Sequence, residues 1–381
     1  MQPTPAHDII WIKQQLQSAI ELEYSTLPLY LSAMFSLEVQ NYTVYNLLRS
    51  VAMEEMVHLA IAANILAAIG GTPQFKAIDI RYPVQGLPGG AEPELRVGLA
   101  QLSKPQINNF MRIEMPDFLL RAQDRSEEYP TIAAFYHTIR QAIVDNADAI
   151  RAAIKQGGLA NQVGDNIGFK TIVYTEGQDS LPQILEAIDE ILDQGEGAAA
   201  EDLYTGSAFE QEESHYAKFA QIYYGKQYQV PKHGNKLTPE NEADFFQGAF
   251  IGWPEVVNTL AVPTDGYARL LALDPNGEAV THDLQTFDQG FTAILTGLDT
   301  VWNGPAANSW KNLGGAVHGM VDLRVLSCFN ILRHEIPAKL IAQLPGLYGE
   351  EFATLNAFTH LDKPVYYGPR FFRDFKAGAS S

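Results

Sequence analysis

The stretch LLRSVAMEEMVHLAIAANILAAIG, residues 47–70, reads as a helix that is apolar over most of its surface, yet two carboxylates and a histidine stand at its centre. Apolar residues recur there in steps of three and four, and the stripe they draw runs Leu48, Val51, Glu55, His58, Ala62, Ile65. Glu55 and His58 fall inside the stripe and Glu54 falls outside it. Three other segments repeat the pattern: Leu16, Ile20, Glu23, Leu27, Tyr30, Met34; then Ile107, Met111, Glu114, Phe118; then Ala208, Glu212, His215, Phe219, Ile222. Glu21 and Glu213 point elsewhere. Four predicted helices therefore each carry a carboxylate on a face that should be buried, and two of them add a histidine one turn on.

Burying four uncompensated carboxylates costs far more than a domain's net stability of about 5–15 kcal/mol. Something cationic must sit among them, and Lys and Arg are scarce on these stripes, so a metal is the natural answer. The order Glu, Glu-x-x-His, Glu, Glu-x-x-His is the ligand pattern of the di-iron or di-manganese pair inside ferritin-like four-helix bundles. Oxygen-rich ligands with one imidazole per metal favour iron or manganese over zinc. A buried Glu–His hydrogen-bond network without metal is the alternative these residues leave open.

Helical periodicity extends well beyond the four stripes. A first helix is expected over about 7–39, kinked at Pro28, and a second over about 44–69, stopped by Gly70-Gly71-Thr72-Pro73. After an irregular stretch, Ser103 caps a third helix running to about Gln123, followed by one over roughly 131–156. Residues 168–176 are a candidate short strand; helices are expected over SLPQILEAIDEILDQ and from about Glu201 to Tyr224. Two long helices, about 282–302 and 309–342, close the chain. The expected architecture is all-α: a four-helix bundle over 1–228, interrupted at about 124–200 by further helices, with a mostly helical extension over 229–381.

Composition narrows the function. Lys and Arg number 26 against 45 Asp and Glu, a net charge of −19, which repels phosphate backbones and anionic lipid, so neither nucleic acid nor membrane is an expected partner. The single cysteine, Cys328, excludes an intrachain disulfide and thiolate clusters, and reads as a core thiol. The N-terminal MQPTPAHDIIWIKQQ does not have the layout of a signal peptide, and no unbroken apolar run reaches the roughly 18 residues of a membrane span, so a cytoplasmic protein is expected. His318 and Asp322 lie four apart with nothing elsewhere to complete a ligand set, and His334 and Glu335 read as solvated or hydrogen-bonded.

ELEYSTLPLY, with Glu23 and Tyr30, resembles the first helix of bacterioferritins and rubrerythrins, and EMVH and EESH resemble the Glu-x-x-His segments of bacterioferritin. A broader resemblance is to the ferritin-like domain of the iminophenylpyruvate dimer synthases of violacein-type pathways. It is carried by IELEYSTLPLYLSAM, EEMVHLAIAANILAAIGGTP, FMRIEMPDF, TIAAFYHTIRQAI, ILDQGEG, ESHYAKFAQI and the late GPRFF. The resemblance implies Glu23, Glu55, His58, Glu114, Glu212 and His215 as ligands of two iron (or manganese) ions, with Tyr30 beside them as a candidate catalytic residue. It implies an oxidoreductase that uses O₂ or peroxide to oxidise or couple imines derived from aromatic amino acids, a small-molecule substrate that need not be shared by this chain. A ferroxidase or peroxide scavenger on the same ligands is the alternative, as is a metal-free structural bundle. Monomer and homo-oligomer are equally compatible with the sequence.

Overall fold

The computed structural model describes residues 7–38, 41–120, 129–157, 162–164, 169–196, 213–230, 236–263, 266–349, 352 and 357–373. Two long helices form its spine. The first, α1 (Ile9–Phe35), starts where the Asp8 side chain accepts from Trp11 N, and passes through Pro28 without ending. In the turn before the proline, the Ser25 and Thr26 hydroxyls donate to the Leu22 and Glu23 carbonyls and Tyr82 donates to Ser25 O. The second, α2 (Tyr42–Ala68), is capped by Asn41 and is followed by Gly70 at φ +75°, a left-handed conformation that glycine adopts without strain. An 18-residue window of α2 is apolar enough on average to cross a membrane, which a count of unbroken apolar runs misses, but 78% of that window is buried inside the fold.

Four shorter helices cover one side of this pair. Near the C-terminal half of α1 lie α3 (Lys104–Ile113) and α7 (His215–Tyr224), which pack on each other, α7 also touching α2. The other half is covered by α4 (Ile132–Asp145) on α1 and α6 (Leu181–Glu196) on α2, with α4 and α6 in mutual contact and α5 (Ala147–Gly157) beneath them. The segment expected as an insertion therefore continues the covering layer, and the two halves of that layer meet at mid-spine.

Several boundaries differ from the sequence expectation. The third helix stops at Ile113 because Pro116 cannot extend it, and Phe118 falls in a separate 3₁₀ turn. α7 begins at His215, where the Ser214 side chain accepts from Ala217 N; the part of the expected helix over 201–212 lies outside the described residues. The segment 131–156 breaks at Asn146, and residues 169–176 form no strand; a two-residue antiparallel pair, β1 (Val84–Gln85) with β2 (Arg96–Val97), occurs in the irregular stretch instead.

The far side of the spine carries the hairpin of α9 (Gly277–Asn303) and α10 (Ser309–Phe329). The last helix ends at Phe329 rather than 342, so His334 lies beyond it and bonds Asp283 Oδ2 at 2.7 Å. His318 and Asp322 stay solvent-exposed, 3.9 Å apart. Cys328 is half-buried, its thiol donating to Phe35 O. Asn64 stitches spine and hairpin together: its amide donates to Val163 O and Phe169 O, and its oxygen accepts from Val163 N and the Trp302 indole, so all four of its hydrogen-bonding positions are used. The tail returns over α9, where buried Asp288 holds both the Arg370 guanidinium and Phe372 N.

Candidate metal centre

Where the two halves of the covering layer meet, five side chains from four helices converge. On α1, Glu23 lies one turn from Thr26 and two from Tyr30, all on one face; α2 adds Glu55 and His58 from its buried face. Glu114 caps the C-terminus of α3, and His215 is the first residue of α7. Glu23, Glu55 and His58 are each 2% exposed, Glu114 6% and His215 not at all, so these five side chains are buried as their stripes suggest. The remaining expected ligand, Glu212, lies outside the described residues.

The two imidazoles are held in the same way. His58 donates from Nε2 to Gln194 Oε1 at 2.8 Å, and Gln194 is oriented by its own amide bond to Glu190. His215 donates from Nε2 to Glu54 Oε2 at 2.9 Å. Each ring thus has Nε2 tied to an outer acceptor, which turns Nδ1 towards the carboxylates, where it can ligate a metal once any proton on it is lost. His58 Nδ1 is 3.8 Å from Glu23 Oε2; His215 Nδ1 is 2.9 Å from Glu55 Oε1 and 3.5 Å from Glu114 Oε2. Despite that proximity, the buried His215 Nδ1 has no aligned hydrogen-bond partner. The rings stack with centroids 5.2 Å apart.

The outer carboxylate oxygens are held too. Tyr136 of α4 donates to Glu23 Oε1, Tyr30 to Glu114 Oε1 at 2.5 Å, and Thr26 to Glu55 Oε2 at 3.2 Å. Tyr30 packs in turn against Phe110 and Phe219. Burial, then the Glu114 and Glu23 charges, push the Glu55 carboxyl well above its usual range. Burial alone lowers the His215 pKa, but the surrounding Glu114, Glu54 and Glu55 outweigh it and raise it well above that of a free imidazole. Without metal the cluster therefore retains protons. Glu23 goes the other way: burial raises it, yet His58 and Tyr136 bring it below its usual value. Burial and the adjacent Glu114 and Glu23 raise the Tyr30 and Tyr136 hydroxyls well above the usual phenol range, so both donate as neutral groups.

Residues 16–224, more than half of the chain, match the family described as Ferritin-like. The chain belongs to the ferritin-like family. A crystal structure of a ferritin-like protein from Caulobacter vibrioides is similar over 84% of this chain and 98% of that one, with a TM-score of 0.54 at 20% identity, which bears on the fold alone. None of the curated proteins compared with it matches in sequence.

Within this ferritin-like bundle the donor set fits a metal. One ligand atom from each of Glu55, His58 and His215 lies within 4.8 Å of the others, and Glu23 and Glu114 flank them. Buried carboxylates with imidazole Nδ1 atoms suit iron or manganese. Glu114 stands at a helix C-terminus, the end whose dipole disfavours an anion, which adds to the need for a cation. Glu54, off the apolar stripe in the sequence, reaches the edge of the site. Burial pushes its carboxyl up, but His215 and the buried Lys218, 2.6 Å away, hold it down at about 2. Lys218 was legible as a lone cation on an otherwise apolar helical run, whereas Tyr136 and Gln194 come from distant helices and carry no local signal.

Proposed function

We propose that this chain binds two iron ions through Glu23, Glu55, His58, Glu114, Glu212 and His215 and acts as an O₂- or peroxide-dependent oxidoreductase. The observation that carries the reading is the matched pair of imidazoles: each has Nε2 tied to an outer side chain and Nδ1 turned towards buried carboxylates, one of them without a hydrogen-bond partner. Two buried Nδ1 atoms turned towards the buried carboxylates of Glu23, Glu55 and Glu114 make a donor set whose negative charge a metal would compensate. When bound, the iron pair supplies electrons to O₂ or peroxide and returns oxidising equivalents to a second molecule.

The protein's own share is arrangement. Glu54 and Gln194 fix the tautomer and direction of the imidazoles; the Lys218 ammonium keeps Glu54 ionised. Tyr30 and Tyr136 each hold one oxygen of a carboxylate, leaving the other for the metal, and Tyr30, bonded to Glu114, is the proposed catalytic hydroxyl. The aromatic shell of Phe110 and Phe219 excludes water from this side.

The substrate is read from resemblance: an imine derived from an aromatic amino acid, oxidised or coupled as in the iminophenylpyruvate dimer synthases, in a cytoplasmic secondary pathway. One observation favours the alternative, a ferroxidase or peroxide scavenger. The cavity bordering Glu114 and Tyr136 holds only about 20 Å³, room for a water or a peroxide but not for an aromatic ring. The two are separated by loading the protein anaerobically with Fe(II), admitting O₂ or peroxide, and following oxidant consumption with and without an aromatic α-imino acid. Catalytic consumption that depends on the imine supports the first reading; turnover with Fe(II) or peroxide alone supports the second; no oxidant consumption by iron-loaded protein refutes both.

A further inference from the structure

α1 and α2 turn their other faces away from the metal centre, and there, with α9 and α10, they enclose a cavity of about 350 Å³. Well-packed interiors fill such a space with side chains, because wall atoms facing a void lose their dispersion contacts. A volume of this size is instead that of a small-molecule pocket. Among the described residues no charged side chain lines it. The Trp302 indole in its wall is committed to Asn64. Met53, Met56 and Met320 give the wall unbranched, adaptable side chains. Met53 and Val317, 44% and 46% exposed, mark the mouth between α2 and α10.

We propose that this cavity binds an uncharged, hydrocarbon-rich small molecule. The absence of lining charge sets the class: an anion or cation entering here surrenders its hydration and finds no partner. The occupant is a molecule rather than a helix of another chain because the space is walled by helices on several sides and reached through one gap. The site shares no residue with the metal ligands, so it stands apart from the redox reading.

The test uses the full chain and the neutral fluorophore N-phenyl-1-naphthylamine. Saturable binding of about one probe per chain is expected, with energy transfer from Trp302 that disappears in Trp302→Phe. Ala316→Trp, which fills the space, and Val317→Glu, which charges the exposed mouth, are each expected to weaken binding about tenfold or more while circular dichroism and metal content stay as in the parent. Methyl decanoate should displace the probe and decanoate should not. Non-saturable binding, or binding untouched by both Ala316→Trp and Val317→Glu in folded protein, overturns the proposal. Displacement by decanoate equal to that by its ester overturns the uncharged class.

Discussion

His58 and His215 each use one ring nitrogen to fix the direction of the other, and the groups that do the fixing, Gln194 and Glu54, stand outside the carboxylate cluster. Loss of such an outer partner typically costs metal affinity about 10–100-fold without abolishing binding, so Glu54→Ala and Gln194→Leu should each fall in that range by titration with Fe(II), and Glu21→Ala should match the parent. Glu21 pairs only with Gln17 on the other face of α1. The pKa directions give a second expectation at this scale. Glu55 and His215 are both raised, so the empty cluster holds protons that a metal must displace; affinity should rise with pH, and an indicator dye should register proton release on loading. Metal affinity flat between about pH 6 and pH 8 contradicts that account. Glu23, Glu55, His58 and Glu114 were legible because a carboxylate in register with leucines and isoleucines contradicts its surroundings, and only burial plus compensation resolves the contradiction. Tyr136 and Gln194 were not, since their role depends on how distant helices pack, and neither stands out in its own segment.

At the scale of the element, the site is built from helix middles on one side and helix ends on the other. The spine offers Glu23, Glu55 and His58 from uninterrupted helices; α3 ends at Glu114 and α7 begins at His215. Those two ends were written locally, in Pro116 and in the Ser214 that precedes the apolar run, but the apolar stripe ran on past Glu114 to Phe118 and suggested a longer third helix. Ser214→Ala should cost about 1 kcal/mol of stability in urea unfolding, the worth of an N-cap. Asn64→Ala should cost more, about 3 kcal/mol, because it strands the Trp302 indole and backbone groups of the segment it ties to α2. If the two variants unfold at the same denaturant concentration as the parent, the cap and the stitch contribute nothing and the account of these elements is wrong.

Taken whole, the molecule has a buried Glu–His cluster on one side of a two-helix spine and an apolar cavity on the other, held by a C-terminal hairpin and a returning tail. The all-α class and the spine could be read from periodicity; the hairpin's role as the cavity's outer wall could not, because no residue in it announces a partner. The late GPRFF segment gains its physical meaning here: Arg370 neutralises buried Asp288, and Phe371 packs against Phe35 and Phe291. Arg370→Met removes the cation that neutralises that buried carboxylate and should cost about 3–5 kcal/mol, measured by denaturant unfolding with native helicity retained. The central claim is that the buried Glu and His side chains exist to hold metal. Elemental analysis of protein reconstituted anaerobically with Fe(II), for the parent beside Glu55→Ala and His215→Ala, tests it most directly. The account predicts about two irons per parent chain, a new absorption after O₂ is admitted, and loss of both in the two variants. A parent that folds and binds no iron, or a variant that keeps two, contradicts it.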